Sequence, residues 1–306
     1  MTDISSTIDG LFFGYVVTLV LLGIIVVQIW TYLHNNDDGW ALRTFIIVLA
    51  LLDITETICT TQLVYHYLIS HFGDINALKS HWSLISVDFT ITNTTYFLAH
   101  LFFAHRLWRL RKSCVIPIMI TFTSTTMLAL GLSIVIEQNL GRLTFSDYQR
   151  HYIMIEMAML HALAITTDIL ITLGLSWTLS TAYASFKTRT VLQRLLVFSV
   201  TRGILICFAQ TGHILMYFLN STNLLFWISL HLVLGKLYVL TTLFTLNTRS
   251  SLRDKLGEVN SVTLPISFGH SDQSRTNDIR EEARYSPEHT RENLVPFHAS
   301  DSINSG

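Results

Sequence analysis

Residues 11–33 read LFFGYVVTLVLLGIIVVQIWTYL, 23 consecutive positions without an Asp, Glu, Lys or Arg. Hydrocarbon offers no partner to a backbone N–H or C=O, so only an internally bonded segment crosses it, and roughly 20 apolar residues of α-helix span its ~30 Å. The run therefore reads as a membrane-spanning helix. It is too long for the apolar part of a signal peptide and follows Asp3 and Asp9 rather than a basic stretch, so a retained helix is expected.

Six further stretches have the same character: Thr44 to Leu68, Leu84 to Ala104, Cys114 to Ile136, Ile153 to Leu179, Leu195 to Leu219 and Leu224 to Leu246. The expected fold class is all-α, a polytopic membrane protein with a seven-transmembrane-helix bundle over residues 1–247 and a disordered tail over 248–306. Composition points the same way. Half of the 306 residues are hydrophobic, only 13% are charged, and the mean hydropathy is +0.46. The segment from Thr248 onward is a different material, with 14 Ser or Thr and three of the four prolines. It has too little apolar surface to offset the entropy of ordering. Within it, Ser250–Leu256 reads as a short basic amphipathic turn suited to the inner leaflet.

Basic loops resist translocation, so Lys and Arg near the helix ends set the orientation. With the N-terminus outside, the inner side carries Arg43, then Arg106, Arg109, Arg111 and Lys112, then Lys187, Arg189 and Arg194, then Arg249, Arg253 and Lys255, eleven in all. The opposite side has three, Lys79, Arg142 and Arg150. The C-terminus is therefore expected in the cytoplasm, with the protein in the plasma membrane or an endomembrane.

Several function classes drop out. The net charge of -1 carries no clustered basic face for nucleic acid. Cys59, Cys114 and Cys207 lie in or beside apolar runs and do not make a disulfide framework. No Walker loop, GxGxxG, HExxH, CxxC pair or GxSxG elbow occurs, so neither an enzyme nor a cofactor is expected.

What remains is the set of ionisable residues inside the runs, each costly in lipid unless paired or hydrated. They are Asp53 and Glu56 on the second run, Asp88 on the third, Glu156, His161 and Asp168 on the fifth, Arg202 and His213 on the sixth, and His231 and Lys236 on the seventh. Asp53, Glu56, Thr57 and Thr60 follow helical spacing and form one polar stripe; His161, Asp168 and Thr172 form another. At ~1.5 Å per residue from the inner ends, Asp53 lies roughly 13 Å deep, Lys236 15 Å, Arg202 10 Å and Asp168 17 Å. Asp53 is thus placed to pair with Lys236, and Asp168 with Arg202. Asp53, Glu56, Asp168, Arg202 and Lys236 make up the candidate intramembrane polar site, read either as ion pairs that fix helix register or as a site for a polar ligand or ion.

A mid-membrane lysine on a seventh helix is also where retinal proteins carry a Schiff base, but Leu232, four residues before Lys236, is not an acid. His161, His213 and His231 would hold a metal only if their rings converged, and their positions along the runs put them at different depths. Asn220 begins a glycosylation sequon close to the membrane, and the sequon at Asn93 lies inside a helix. Cys114, beside the basic inner loop, is a palmitoylation candidate. Gly203 and Gly212 suit close helix packing.

The run Thr167, Asp168, Ile169, Leu170, Ile171, Thr172, the segment Phe186, Lys187, Thr188, Arg189, Thr190, and the closing Lys236, Leu237, Tyr238 with Leu246, Asn247, Thr248, Arg249 carry a resemblance. So do Gln28, Tyr65, His66 and Tyr67, then Asn76, Ala77 and Leu78 with Trp82 and Ser83, and the stretch from Phe102 to Leu110. Together they resemble an uncharacterised family of seven-helix membrane proteins of mushroom-forming fungi, whose C-terminal domain of unknown function would correspond to residues 153–253. Leu240 and Thr241 stand where that family has Asn and Ser, and Arg202 stands where a small polar residue precedes Gly203. The resemblance implies the seven-helix fold and no activity. A rhodopsin-like receptor is not implied: Ala104 precedes His105 and Arg106 where an acid would be, and helices five to seven lack proline.

The leading expectation is a non-enzymatic, receptor-like or sensory membrane protein. An unknown small ligand would bias the bundle, and the inner loops and tail would meet a cytoplasmic protein partner. The alternative is a transporter or channel for a small polar solute or ion. The bilayer is the one partner common to both.

Overall fold

A computed structural model describes residues 2–36, 39–70, 82–111, 113–140, 151–185, 189–219 and 224–262. Every regular element among them is helical: α1 (Thr2–Asn35), α2 (Trp40–Tyr65) with a π-helical turn His66–Ser70, α3 (Trp82–Arg111), α4 (Val115–Asn139), α5 (His151–Ser185), α6 (Arg189–Leu219) and α7 (Leu224–Val262). The chain divides into two units, Met1–Gly257 and Glu258–Gly306, and the bundle lies in the first.

Five helices are long and apolar enough to cross a membrane: α1, α4, α5, α6 and α7. The other two, α2 and α3, have 26 and 30 residues, ample for the thickness of hydrocarbon; α2 buries Asp53, Glu56, Thr57 and Thr60, and α3 buries Ser86, Asp88, Thr92, Asn93, Thr95 and His100. On α2 the outward stripe is Ile47, Leu51, Ile54 and Ile58, 46–59% exposed, while Asp53 and Glu56 are each 1% exposed. This is the reverse of a water-soluble helix, which hides its apolar face. Such a distribution suits apolar surroundings.

Hydroxyl groups on the outward faces follow the same logic. Thr31, Thr55, Thr166 and Thr211 each donate to the carbonyl four residues back, at 2.7–2.8 Å, so no polar hydrogen is left to the surroundings.

Successive helices pack side by side from α1 to α6, and α3 also meets α5. Three apolar clusters fill the interior: one around Phe89, Tyr96, Met127, Met157 and Leu232, one around Ile25, Tyr32, Ile46 and Leu243, and one around Phe103, Leu107, Ile120 and Leu175. α5 and α6 pack closely at Gly203, where an added Cβ would stand 2.0 Å from Thr172 Oγ1. Gly212 differs from the expectation: a Cβ there meets nothing within 4 Å, so it mediates no contact.

The last helix also differs. The expected end near residue 247 is an apolar boundary only; α7 continues through Val262 and absorbs Ser250–Leu256. Helix formation needs only local bonding, and Leu252, Arg253, Lys255, Leu256 and Glu258 are good helix formers in any solvent. The remainder of the expected disordered tail, from residue 263, lies outside the described residues, as does Asn220.

Candidate functional site

α7 is where the buried polar groups meet. Along its length Lys236 reaches α2, His231 faces α3, Tyr238 reaches α5, Thr241 accepts from α6, and Asn247 donates to α1. One helix with a polar side chain for each of five neighbours fixes both its rotation and its depth.

The first cluster lies between α2, α3 and α7. Lys236 Nζ donates to Asp53 Oδ1 at 2.9 Å, to the Asp53 carbonyl at 2.8 Å and to Thr57 Oγ1 at 2.7 Å. An ammonium has three N–H groups, so these bonds saturate it. Glu56 Oε2 is 3.8 Å from Nζ, and neither Glu56 oxygen has a hydrogen-bond donor. Glu56 lies directly over α7 because position 235 is glycine; a Cβ there would come 2.7 Å from Oε1. Asp88 on α3 accepts from Thr60 Oγ1 at 3.1 Å and has His231 Nε2 at 3.9 Å.

The second cluster centres on Asp168 of α5. The Tyr238 hydroxyl donates to Oδ2, while His100 Nε2 is 3.6 Å and Arg202 Nη2 4.0 Å from Oδ1. Arg202 is fixed from two other directions: its Nε donates to Thr241 Oγ1 at 3.3 Å, and its guanidinium sits 3.6 Å above the centre of the Phe103 ring. His100 Nδ1 is 3.1 Å from Ser124 Oγ on α4. Gln210 Nε2 donates to the Tyr238 hydroxyl at 3.5 Å, and Gln210 Oε1 lies 3.1 Å from His161 Nδ1.

The three histidines named from the sequence lie together, contrary to the depth argument. The ring of His213 is 4.4 Å from that of His161 and 5.8 Å from that of His231, measured between centres. Distance along a run does not fix how deep a ring ends, because the direction of the Cα–Cβ bond and the rotamer also set it. Even so, among the described residues no group of three His, Cys, Asp or Glu is arranged to hold a metal ion.

The five residues singled out from the sequence are all within these clusters, Asp53, Glu56 and Lys236 in the first, Asp168 and Arg202 in the second, and each is 6% exposed or less. Asp53 and Lys236 face each other. His100, Ser124, Gln210 and the hydroxyl of Tyr238 escaped the sequence reading. Cys114 is exposed at the start of α4, on a shallow apolar groove of about 820 Å³ with Trp108, Ile118 and Phe122. No curated protein and no solved structure matches the chain. Residues 164–251, which hold Asp168, Arg202, Gln210 and the polar row of α7 but not His100, Ser124, Asp53, Glu56 or Asp88, are similar to a family of unknown function (DUF6534).

Proposed function

We propose that the chain is a receptor-like, sensory membrane protein in which all seven long helices cross the bilayer, N-terminus outside and C-terminus in the cytoplasm. The observation that carries this reading is the set of polar contacts by which α7 engages five other helices. A packed interior of discrete ion pairs and hydrogen bonds has alternative arrangements rather than a continuum. A ligand that favours one arrangement shifts α7, and α7 runs without interruption into its extension as far as Val262.

The crossing of α2 and α3 is supported by four exposed tryptophans. Trp30 near the end of α1, Trp40 at the start of α2, Trp108 near the end of α3 and Trp177 in the last third of α5 are 48–81% exposed. With alternating helix directions all four fall toward the same side, where tryptophan favours a membrane interface, and it is the side of the eleven basic residues.

Transport of a small polar solute or ion is the second reading, favoured by the donor-free carboxylate of Glu56. One comparison separates the two. Purified protein in sealed vesicles is assayed for proton, sodium and potassium flux, and tail-directed partner capture is assayed in cells, each with wild type and Asp53→Asn. The receptor reading expects no flux and a change in capture. A flux abolished by Asp53→Asn, with capture unaltered, overturns it. Protease or glycan mapping that placed both termini on one side would overturn the seven-span topology.

A further inference from the structure

Three carboxyl groups, Asp53, Glu56 and Asp88, are buried around a single ammonium, and the hydrogens of that ammonium are all committed to Asp53 and Thr57. Glu56 is 1% exposed and has no donor at either oxygen; Asp53 Oδ2 has none either. His231, 4% exposed and with no hydrogen bond at either ring nitrogen, is aimed at Asp88. An ionised carboxylate left without donors at such a depth costs several kcal/mol, and mutual repulsion among three of them adds to it. The cluster sets one ammonium against three carboxyl groups, and Glu56 Oε1 and Oε2 and Asp53 Oδ2 lack hydrogen-bond donors.

We infer that Glu56 is a proton-binding site of the bundle, its proton taken from and returned to bulk water, with Asp88 and His231 as the adjoining exchangeable pair. A proton on Glu56 removes one negative charge and turns an oxygen that lacks a donor into a donor for a neighbouring carboxylate. A metal ion would neutralise the charge too, but the surrounding groups do not converge as metal ligands among the described residues. The groups that face Glu56 are Asp53 and Cys59 on its own helix, Asp88 and Tyr96 from α3, and Lys236 from α7, with His231 behind Asp88. Gly235 keeps the carboxyl group against the α7 backbone. The site is the same whether the protein signals or transports, so the test below stands apart from that question.

The experiment is infrared spectroscopy of the full chain in lipid vesicles, in H₂O and D₂O, for wild type, Glu56→Gln and Asp88→Asn. Wild type should show a carboxylic-acid C=O band that shifts on deuteration. Glu56→Gln should remove it while leaving the protein folded, because the amide has the shape and neutrality of the protonated acid. Asp53→Asn, which instead strips a partner from Lys236, should lower the unfolding midpoint by about 10 °C. A band that persists unchanged in folded Glu56→Gln overturns the assignment. So does a midpoint loss in Glu56→Gln equal to that of Asp53→Asn. A stabilisation by sodium chloride over choline chloride that vanishes in Glu56→Gln would identify a metal cation as the ligand and overturn the proton as well.

Discussion

Lys236 Nζ and Asp53 Oδ1 stand 2.9 Å apart with 1% of either side chain exposed, a salt bridge that joins α7 to α2 in the middle of the bundle. Taking both charges out of water is expensive, and their attraction together with the added bonds to Thr57 and the Asp53 carbonyl offsets it.

The pair is therefore predicted to matter more when halved than when removed. Asp53→Asn or Lys236→Met alone should cost about 3–5 kcal/mol, since each leaves an uncompensated buried charge. The double variant Asp53→Leu/Lys236→Met should recover most of that loss. Thermal unfolding in detergent micelles measures it, and a double variant no better than the singles would show that the pair is not the origin of the effect.

The two buried tyrosines whose rings lie 4.3 Å apart offer a paired control. The Tyr238 hydroxyl bonds Asp168 and Gln210, whereas the Tyr96 hydroxyl has no hydrogen bond. Tyr238→Phe should cost about 1–3 kcal/mol by leaving Asp168 short of a donor, and Tyr96→Phe should be nearly neutral. Equal losses in the two variants would mean that the hydroxyl of Tyr238 is not what holds Asp168.

Much of this arrangement is legible in the letters. Apolar runs announce the helices because lipid makes length and hydropathy decisive, and helical spacing places Asp53, Glu56, Thr57 and Thr60 on one face. Partners across helices are harder. Periodicity tells which residues share a face, not how far a helix is rotated or tilted, so the convergence of His161, His213 and His231 was out of reach. His100 was within reach: with Asn93 and Tyr96 it completes an i, i+3, i+7 face of α3, all buried. Gln28 and Asn247, 219 positions apart and noted only through a family resemblance, are hydrogen-bonded at 2.5 Å. Nothing in local spacing pairs them.

The glycines of α6 make a second contrast. Gly203→Ala forces a Cβ against Thr172, whose hydroxyl is itself bonded to the Asp168 carbonyl, and overpacking of this kind costs about 1–3 kcal/mol. Gly212→Ala meets open space and should be neutral or stabilise the helix by up to ~1 kcal/mol. The order of the two unfolding midpoints checks this, and a reversed order would place the α5 and α6 contact elsewhere.

The sharpest test of the membrane reading uses exposed apolar side chains of α2. Leu51 and Ile54 on α2 are 59% and 46% exposed, and in a water-soluble protein such positions accept aspartate with little effect. In hydrocarbon an aspartate near the helix centre costs about 2.5–3.5 kcal/mol, and α2 already carries Asp53 and Glu56 on its opposite face. Leu51→Asp should therefore impair insertion of α2, seen as loss of protein from the alkali-resistant membrane fraction, while Leu51→Ile should not. If Leu51→Asp inserted and folded like wild type, α2 would not face lipid along that stripe, and the crossing of the bilayer by α2 would have to be given up.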